Sequence, residues 1–168
     1  IYPNHSNKLF GLDKHFEELK RLYYSNTLPK ALLLSSNKGN GKFTLISHFL
    51  NSIFDKEYNE IEKLINSSSP TFLKINNCTF QNIIYLKNVK IEDIRDLKET
   101  LSKTLMGDGH RFIILDEVEM FNLNCLNALL KLIEEPSINN YFILIDNKQK
   151  KLLETISSRC LKKNFFLK

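Results

Sequence analysis

An apolar run, Ala31-Leu32-Leu33-Leu34, passes through Ser35-Ser36-Asn37-Lys38-Gly39-Asn40-Gly41-Lys42-Phe43-Thr44 into a helical pattern. Strand, glycine-bearing loop and helix in that order make a phosphate-binding loop, G-x-x-x-x-G-K-[ST]. Its backbone N–H groups cradle phosphates, its Lys reaches the outer phosphates and its hydroxyl holds magnesium. Gly41 and Lys42 fit that pattern, but Ser36 stands in place of the first Gly and Phe43 in place of the hydroxyl. Phe has no oxygen to offer a hard cation, which takes oxygen ligands in tight geometry. Thr44 comes one residue late, about 100° further round a helix of 3.6 residues per turn. Such a loop can cradle an anion and still hydrolyse nothing.

The rest of the chain repeats the alternation of apolar runs and helical periodicity, which predicts a mostly parallel α/β sheet. Strands are expected over 31–34, 71–75, 112–115, 142–145 and about 161–166. Near-continuous apolar runs of this kind suit strands buried on both faces. Helices are expected over 15–24, 42–54, 91–103, 123–134 and 152–157. Ile91, Ile94, Leu97, Leu101 and Leu105 form a one-sided stripe with charges opposite. Asn66-Ser67-Ser68-Ser69-Pro70 reads as a loop before a strand, Gly107-Asp108-Gly109 as a turn, and Glu135-Pro136 as a helix end. Residues 76–90 admit either a short extra strand or a hairpin.

A second element lies downstream of the loop. Phe112-Ile113-Ile114-Leu115-Asp116-Glu117 is an apolar strand ending in paired acids. In phosphate-loop enzymes such an Asp holds magnesium and an adjacent acid polarises the attacking water. Strand carboxyl ends are where open α/β sheets bind ligands. The plainer reading is that Asp116 only caps the next turn of the chain. A third element, Thr155-Ile156-Ser157-Ser158-Arg159-Cys160, carries an arginine at a helix end, where its ordinary use is solvation or the helix dipole.

At 168 residues, 42% hydrophobic and 26% charged, the chain has the make-up of one globular domain. No apolar run approaches the roughly 18 residues of a membrane span. The first residues, Ile1-Tyr2-Pro3-Asn4-His5, show no apolar signal core and no initiator Met, so a trimmed or partial chain is expected. The net charge of +5 is scattered and says little about nucleic acid. Cys78, Cys125 and Cys160 lie far apart, an odd set that fits a reducing, cytoplasmic setting without a disulfide framework or zinc.

Leu123 to Pro136, with its Asn127-Ala128-Leu129-Leu130-Lys131 and Glu134-Glu135-Pro136 blocks, comes after the paired acids and precedes Ser158-Arg159-Cys160. Together these resemble the bacterial clamp-loader family of AAA+ proteins, which place a ring-shaped sliding clamp on primed DNA. Leu28-Pro29-Lys30-Ala31-Leu32-Leu33 resembles the start of the family's first strand, and Ser69-Pro70-Thr71 resembles its His-Pro-Asp step. Ile91-Glu92-Asp93-Ile94-Arg95-Asp96-Leu97 resembles the "I-x-x-I-R" helix of the delta-prime subunits of the DNA polymerase III clamp loader.

The resemblance implies an α/β AAA+ (P-loop NTPase-like, RecA-like) three-layer sandwich with a mostly parallel five-stranded sheet, residues 1–168 forming a single AAA+ core. It implies a parent protein that continues into a helical lid and a collar. It also implies a subunit without ATPase activity of its own, with Gly39, Asn40, Gly41, Lys42, Thr44, Asp116 and Glu117 as a remnant nucleotide site binding ATP or ADP weakly at most. Arg159, between Ser158 and Cys160, would then serve as an arginine finger at the ATP of a neighbouring subunit. The implied partners are the tau/gamma and delta subunits, the sliding clamp and primer-template DNA, with no membrane. Many family members carry a four-cysteine zinc module between the first helix and the paired acids. Residues 54–91 hold only Cys78, so no zinc is expected.

Two other readings remain. A working ATPase of the tau/gamma kind would need Thr44 to reach magnesium, and a general DNA-binding module would use the positive charge. Asn147 lies near the family's polar sensor, but Asp146 and Lys148-Gln149-Lys150 depart from the usual run, so a solvated loop is expected there. His5, His15, His48 and His110 are expected to be non-catalytic. Phe10, Phe16, Phe49, Phe54, Phe112 and Phe142 are expected in packing. Lys148, Lys150, Lys151, Lys162 and Lys163 fit a solvated face, or a contact with phosphates or a partner.

Overall fold

The computed structural model describes residues 3, 5–103, 105, 109–135 and 137–164, with residues 163 and 164 by their backbone alone. The chain forms two compact units.

The first unit draws on residues 1–28 and 39–80 and is helical: α1 (Asp13–Tyr24), α2 (Lys42–Phe54) and α3 (Pro70–Asn76). Helix α1 is amphipathic, burying Phe16 and Leu19, and packs on α2. Helix α2 is buried almost all round through Leu45, Ile46, Phe49 and Leu50, together with the polar Ser47, His48 and Asn51. A buried polar group needs a partner. His48 has two: its Nε2 lies 2.9 Å from the Ser6 carbonyl and its Nδ1 3.0 Å from the Tyr58 hydroxyl. A carbonyl only accepts, so Nε2 carries the proton and Nδ1 accepts from Tyr58.

The strand expected over 71–75 is instead helix α3. The Ser69 side chain accepts the Phe72 N–H at 3.0 Å, and Pro70 occupies the first turn. Ser at the cap and Pro at the first position are the strongest local start signals a helix has. They outweigh the apolar character of Thr71-Phe72-Leu73, and Phe72 and Ile75, three apart, supply the buried stripe. Phe10 also departs from expectation: it is 66% exposed, with the Lys8 ammonium 5.6 Å from its ring centre.

The second unit, residues 29–38 and 81–165, holds the sheet. Its strands are β1 (Ala31–Ser35), β2 (Ile83–Lys87), β3 (Arg111–Asp116), β4 (Asn140–Asp146) and β5 (Leu161–Asn164). They run in the order β2-β3-β4-β1-β5, every pairing parallel. The ambiguous stretch 76–90 thus supplies the fifth strand that 71–75 does not. Residues 165–166, expected to extend β5, lie outside the described residues, as do Gly107, Asp108 and Pro136 of the expected turn and helix end.

Helices α4 (Ile91–Ser102) and α5 (Leu123–Glu134) pack on each other, and the short α6 (Glu154–Ser157) packs on α5. Ile94, Leu97, Leu126, Leu129, Ile133 and Ile156 cover Leu33, Ile113, Leu115, Phe142 and Leu144 of the sheet. The alternate residues Leu32, Leu34, Phe112 and Ile114 are at most 1% exposed. Burial on both faces explains why these strands lack polar alternation. Among the described residues no helix is long and apolar enough to cross a membrane.

Candidate functional site

The loop after β1 turns where its glycines allow. Gly39 has φ +88° and Gly41 φ +71°, the left-handed region that L side chains avoid. Gly41 is the N-cap of α2, and a Cβ there would stand 2.9 Å from Leu12 Cδ1. A side chain at position 41 would be strained by the torsion and would push the Leu12 methyl aside. The next three residues, Lys42, Phe43 and Thr44, begin the helix whose positive end favours anions. Lys42 is 4% exposed; Asn40, Phe43 and Thr44 are half-buried. The Phe43 ring meets the His5 ring edge-on at a centroid distance of 6.1 Å, and His5 in turn lies 5.8 Å from Phe72. The residue in the hydroxyl's place therefore joins an aromatic cluster.

In the sheet unit, Ser36 is buried and donates its N–H to the Asp146 carbonyl at 3.2 Å. Asp116 ends β3 and Glu117 comes next in the left-handed conformation, φ 54°, opening the short 3-10 helix Val118–Met120. Both acids are nearly buried, and each has cationic or donor partners. Tyr85 donates its hydroxyl to Asp116 Oδ2 at 2.7 Å, and Lys87 Nζ lies 3.7 Å from the same atom. Glu117 Oε1 is 3.2 Å from both Lys38 Nζ and Lys87 Nζ, and 3.4 Å from Gln149 Nε2. Burial pushes the Glu117 carboxyl up, but the hydrogen bonds and charges of Lys38 and Lys87 outweigh it and hold it below the ordinary carboxylate value.

Sequence reasoning missed Lys38 and Lys87. Lys38 sits inside the loop motif, and Lys87 ends β2 directly opposite Asp116 in register. Only the strand pairing reveals the second.

Glu119 was missed as well. It is 5% exposed; its Oε1 accepts the Asn147 N–H at 3.0 Å, while Oε2 has no hydrogen-bond partner among the described residues. Burial raises its pKa, with the neighbouring Asp146 adding to the effect against the backbone hydrogen bonds it receives. It ties the end of β4 to the turn after β3 at Asn147, while Lys148, Gln149 and Lys150 beyond it are exposed, as a solvated loop would be.

Arg159 lies on the surface, its side chain 39% exposed. Its Nε donates to Glu134 Oε1 and its Nη1 to the Thr155 carbonyl at 2.9 Å. Ser158 is exposed and donates to the Thr155 carbonyl at 3.3 Å. Cys160 is half-buried, its thiol pushed up to about 11 by burial. The partners of Arg159 and those of Asp116 and Glu117 have no residue in common, so within this unit the arginine does not serve the acid pair. No group of three or more His, Cys, Asp or Glu among the described residues is arranged to hold a metal ion.

Residues 11–166 match the family model described as DNA polymerase III, delta subunit. The chain belongs to this family.

Among the relatives of this chain is the DNA polymerase III subunit delta' of Buchnera aphidicola subsp. Schizaphis graminum. The two are 32% identical over 155 residues, 89% of this chain and 46% of the relative. The delta' of Pseudomonas aeruginosa is 37% identical over 75 residues, 45% of this chain and 23% of the relative. The tau subunit of Bacillus subtilis is 25% identical over 166 residues, 97% of this chain and 29% of the relative. The chain spans less than half the length of these curated relatives. Among solved structures, a gamma subunit-related protein of Thermotoga maritima superposes with a TM-score of 0.63 at 15% identity, covering 95% of this chain and 47% of that one. At that identity the likeness is one of fold. The resemblance to delta-prime clamp-loader chains and the expected parallel five-stranded α/β fold are both borne out.

Proposed function

We propose that this chain is the AAA+ core of a delta-prime-type subunit of the DNA polymerase III clamp loader. It works in the cytoplasm beside tau/gamma and delta subunits, where the complex places the sliding clamp on primed DNA. It hydrolyses no ATP itself: Phe43 supplies no oxygen to magnesium, and Lys38 and Lys87 already neutralise the acids that would hold or use one. Its contribution to catalysis is Arg159, offered to the triphosphate of an adjoining ATPase subunit.

The observation that carries this reading is the surface position of Arg159, whose guanidinium is held by one exposed carboxylate and one carbonyl. A planar, permanently charged guanidinium matches phosphate geometry as a lysine does not. Delivered across an interface, it stabilises charge on the transferring phosphoryl group, an effect of about 10³–10⁵ in rate in GTPases.

Arg159→Ala in the full-length parent protein is expected to fold normally and to remove most of the DNA-stimulated ATPase of a reconstituted loader, with Arg159→Lys failing to restore it. Activity near wild type in the alanine variant would overturn the assignment.

A further inference from the structure

A cavity in the sheet unit, about 450 Å³ in volume, opens beyond the carboxyl ends of β1 and β4 and beside β5. Its lining brings together Lys148, Lys150, Lys151 and Lys162 around Ser35 and Asp146. Three of these lysines come from the segment after β4 and the fourth from the edge strand β5, so only the fold collects them.

Among the described residues none of the four lysines is in ion-pair contact with a carboxylate. The one carboxylate in the lining is already committed. Asp146 Oδ2 accepts the Ser35 hydroxyl at 2.7 Å, and Oδ1 accepts the Lys148 N–H at 2.8 Å. The second bond holds Lys148 at φ +56°, a left-handed conformation that residues other than glycine rarely adopt. Asp146 therefore shapes the loop that presents the lysines and leaves their charge unanswered. Four like charges round one concavity repel each other unless an anion enters.

We propose that this cavity is an oxyanion site taking a phosphate-class polyanion, through several ammonium groups at once. Its lining includes none of Gly39 to Lys42. The proposal does not depend on the role of Arg159. The shared chemistry is the phosphate group, whether free as a polyphosphate or carried on a nucleic-acid backbone.

The test is calorimetric titration of the protein with sodium pyrophosphate and, in parallel, with a short single-stranded oligodeoxynucleotide, at constant low ionic strength set with chloride. The expected result is saturable pyrophosphate binding that persists in Lys42→Ala. In Lys150→Ala/Lys162→Ala it should weaken about tenfold or more, in line with the loss of charge-assisted hydrogen bonds. These exposed changes leave the fold intact, which circular dichroism checks. Tighter, equally variant-sensitive binding of the oligonucleotide would identify backbone phosphates as the source, and weaker binding a free polyphosphate. Absence of saturable binding, or binding lost in Lys42→Ala and retained in the double-lysine variant, would overturn the proposal.

Discussion

Arg159 and Glu134, 25 residues apart in sequence, meet on the surface: Nε of the arginine donates to Oε1 of the glutamate. The pair joins the end of α5 to the residues after α6, and both side chains remain substantially solvated at 39% and 45% exposure. An exposed pair of this kind contributes about 0–1 kcal/mol. Glu134→Gln should therefore lower the unfolding free energy in urea by less than about 1 kcal/mol. A loss of several kcal/mol would mark the contact as structural and argue against an arginine free to leave for a partner.

On the proposed function, Phe43 decides the chemistry of the loop. Titration with Mg-ATP is expected to show no magnesium-dependent affinity in the wild type. Ser36→Gly with Phe43→Thr is expected to create it, because a hydroxyl then stands at the metal-anchoring position. Sub-millimolar, magnesium-dependent binding by the unaltered protein would favour an active tau/gamma-like ATPase instead.

His48 makes the helical unit acid-sensitive. Burial is the main cause that lowers its pKa to about 4; the charge of His5 adds to this, against the bond to the Ser6 carbonyl. The unfolded chain titrates near 6.5, so it binds a proton before the folded chain does. Stability is thus full above about pH 6.5 and falls between there and about pH 4, by on the order of 2–3 kcal/mol. His5, lowered chiefly by burial, acts in the same direction. Denaturant melts across that range check the slope. His48→Gln should flatten most of it, and an unchanged slope in that variant would refute the assignment.

Ser69 is asked to do two things. Its oxygen accepts the Phe72 N–H at the start of α3, and its hydroxyl donates to the buried Asp55. Loss of an N-cap alone costs about 0.5–2 kcal/mol. Stranding a buried carboxylate oxygen adds about 1–3 kcal/mol. Ser69→Ala should lower stability by about 2–4 kcal/mol, read by thermal or urea unfolding. A change under about 0.5 kcal/mol would show that solvent replaces both bonds.

The same residue explains where sequence pattern and structure part. Ser69-Pro70 is a helix start, but Thr71-Phe72-Leu73 is apolar and β-prone, and a short run cannot be assigned from periodicity alone. Two helices are legible to the residue: α2 and α5 fall at their expected bounds. The central strands are legible because parallel strands buried on both faces read as unbroken apolar runs. Strand β2 is ambiguous in sequence because it lies at the sheet edge, where Ile84, Tyr85 and Leu86 are only half-buried.

By itself the sequence determined the chemical vocabulary: a loop with Gly41 and Lys42 but no metal hydroxyl, an acid pair ending an apolar strand, and an arginine between Ser158 and Cys160. Covalent identity and local spacing fix those facts. The tertiary structure alone decided which charges meet. Lys87 neutralises Asp116 and Glu117 through parallel register, Glu134 holds Arg159 across two helices, and Lys162 joins three loop lysines at the end of the sheet. Coulomb interactions depend on distance in space, and chain separation says nothing about that distance until the strands are ordered.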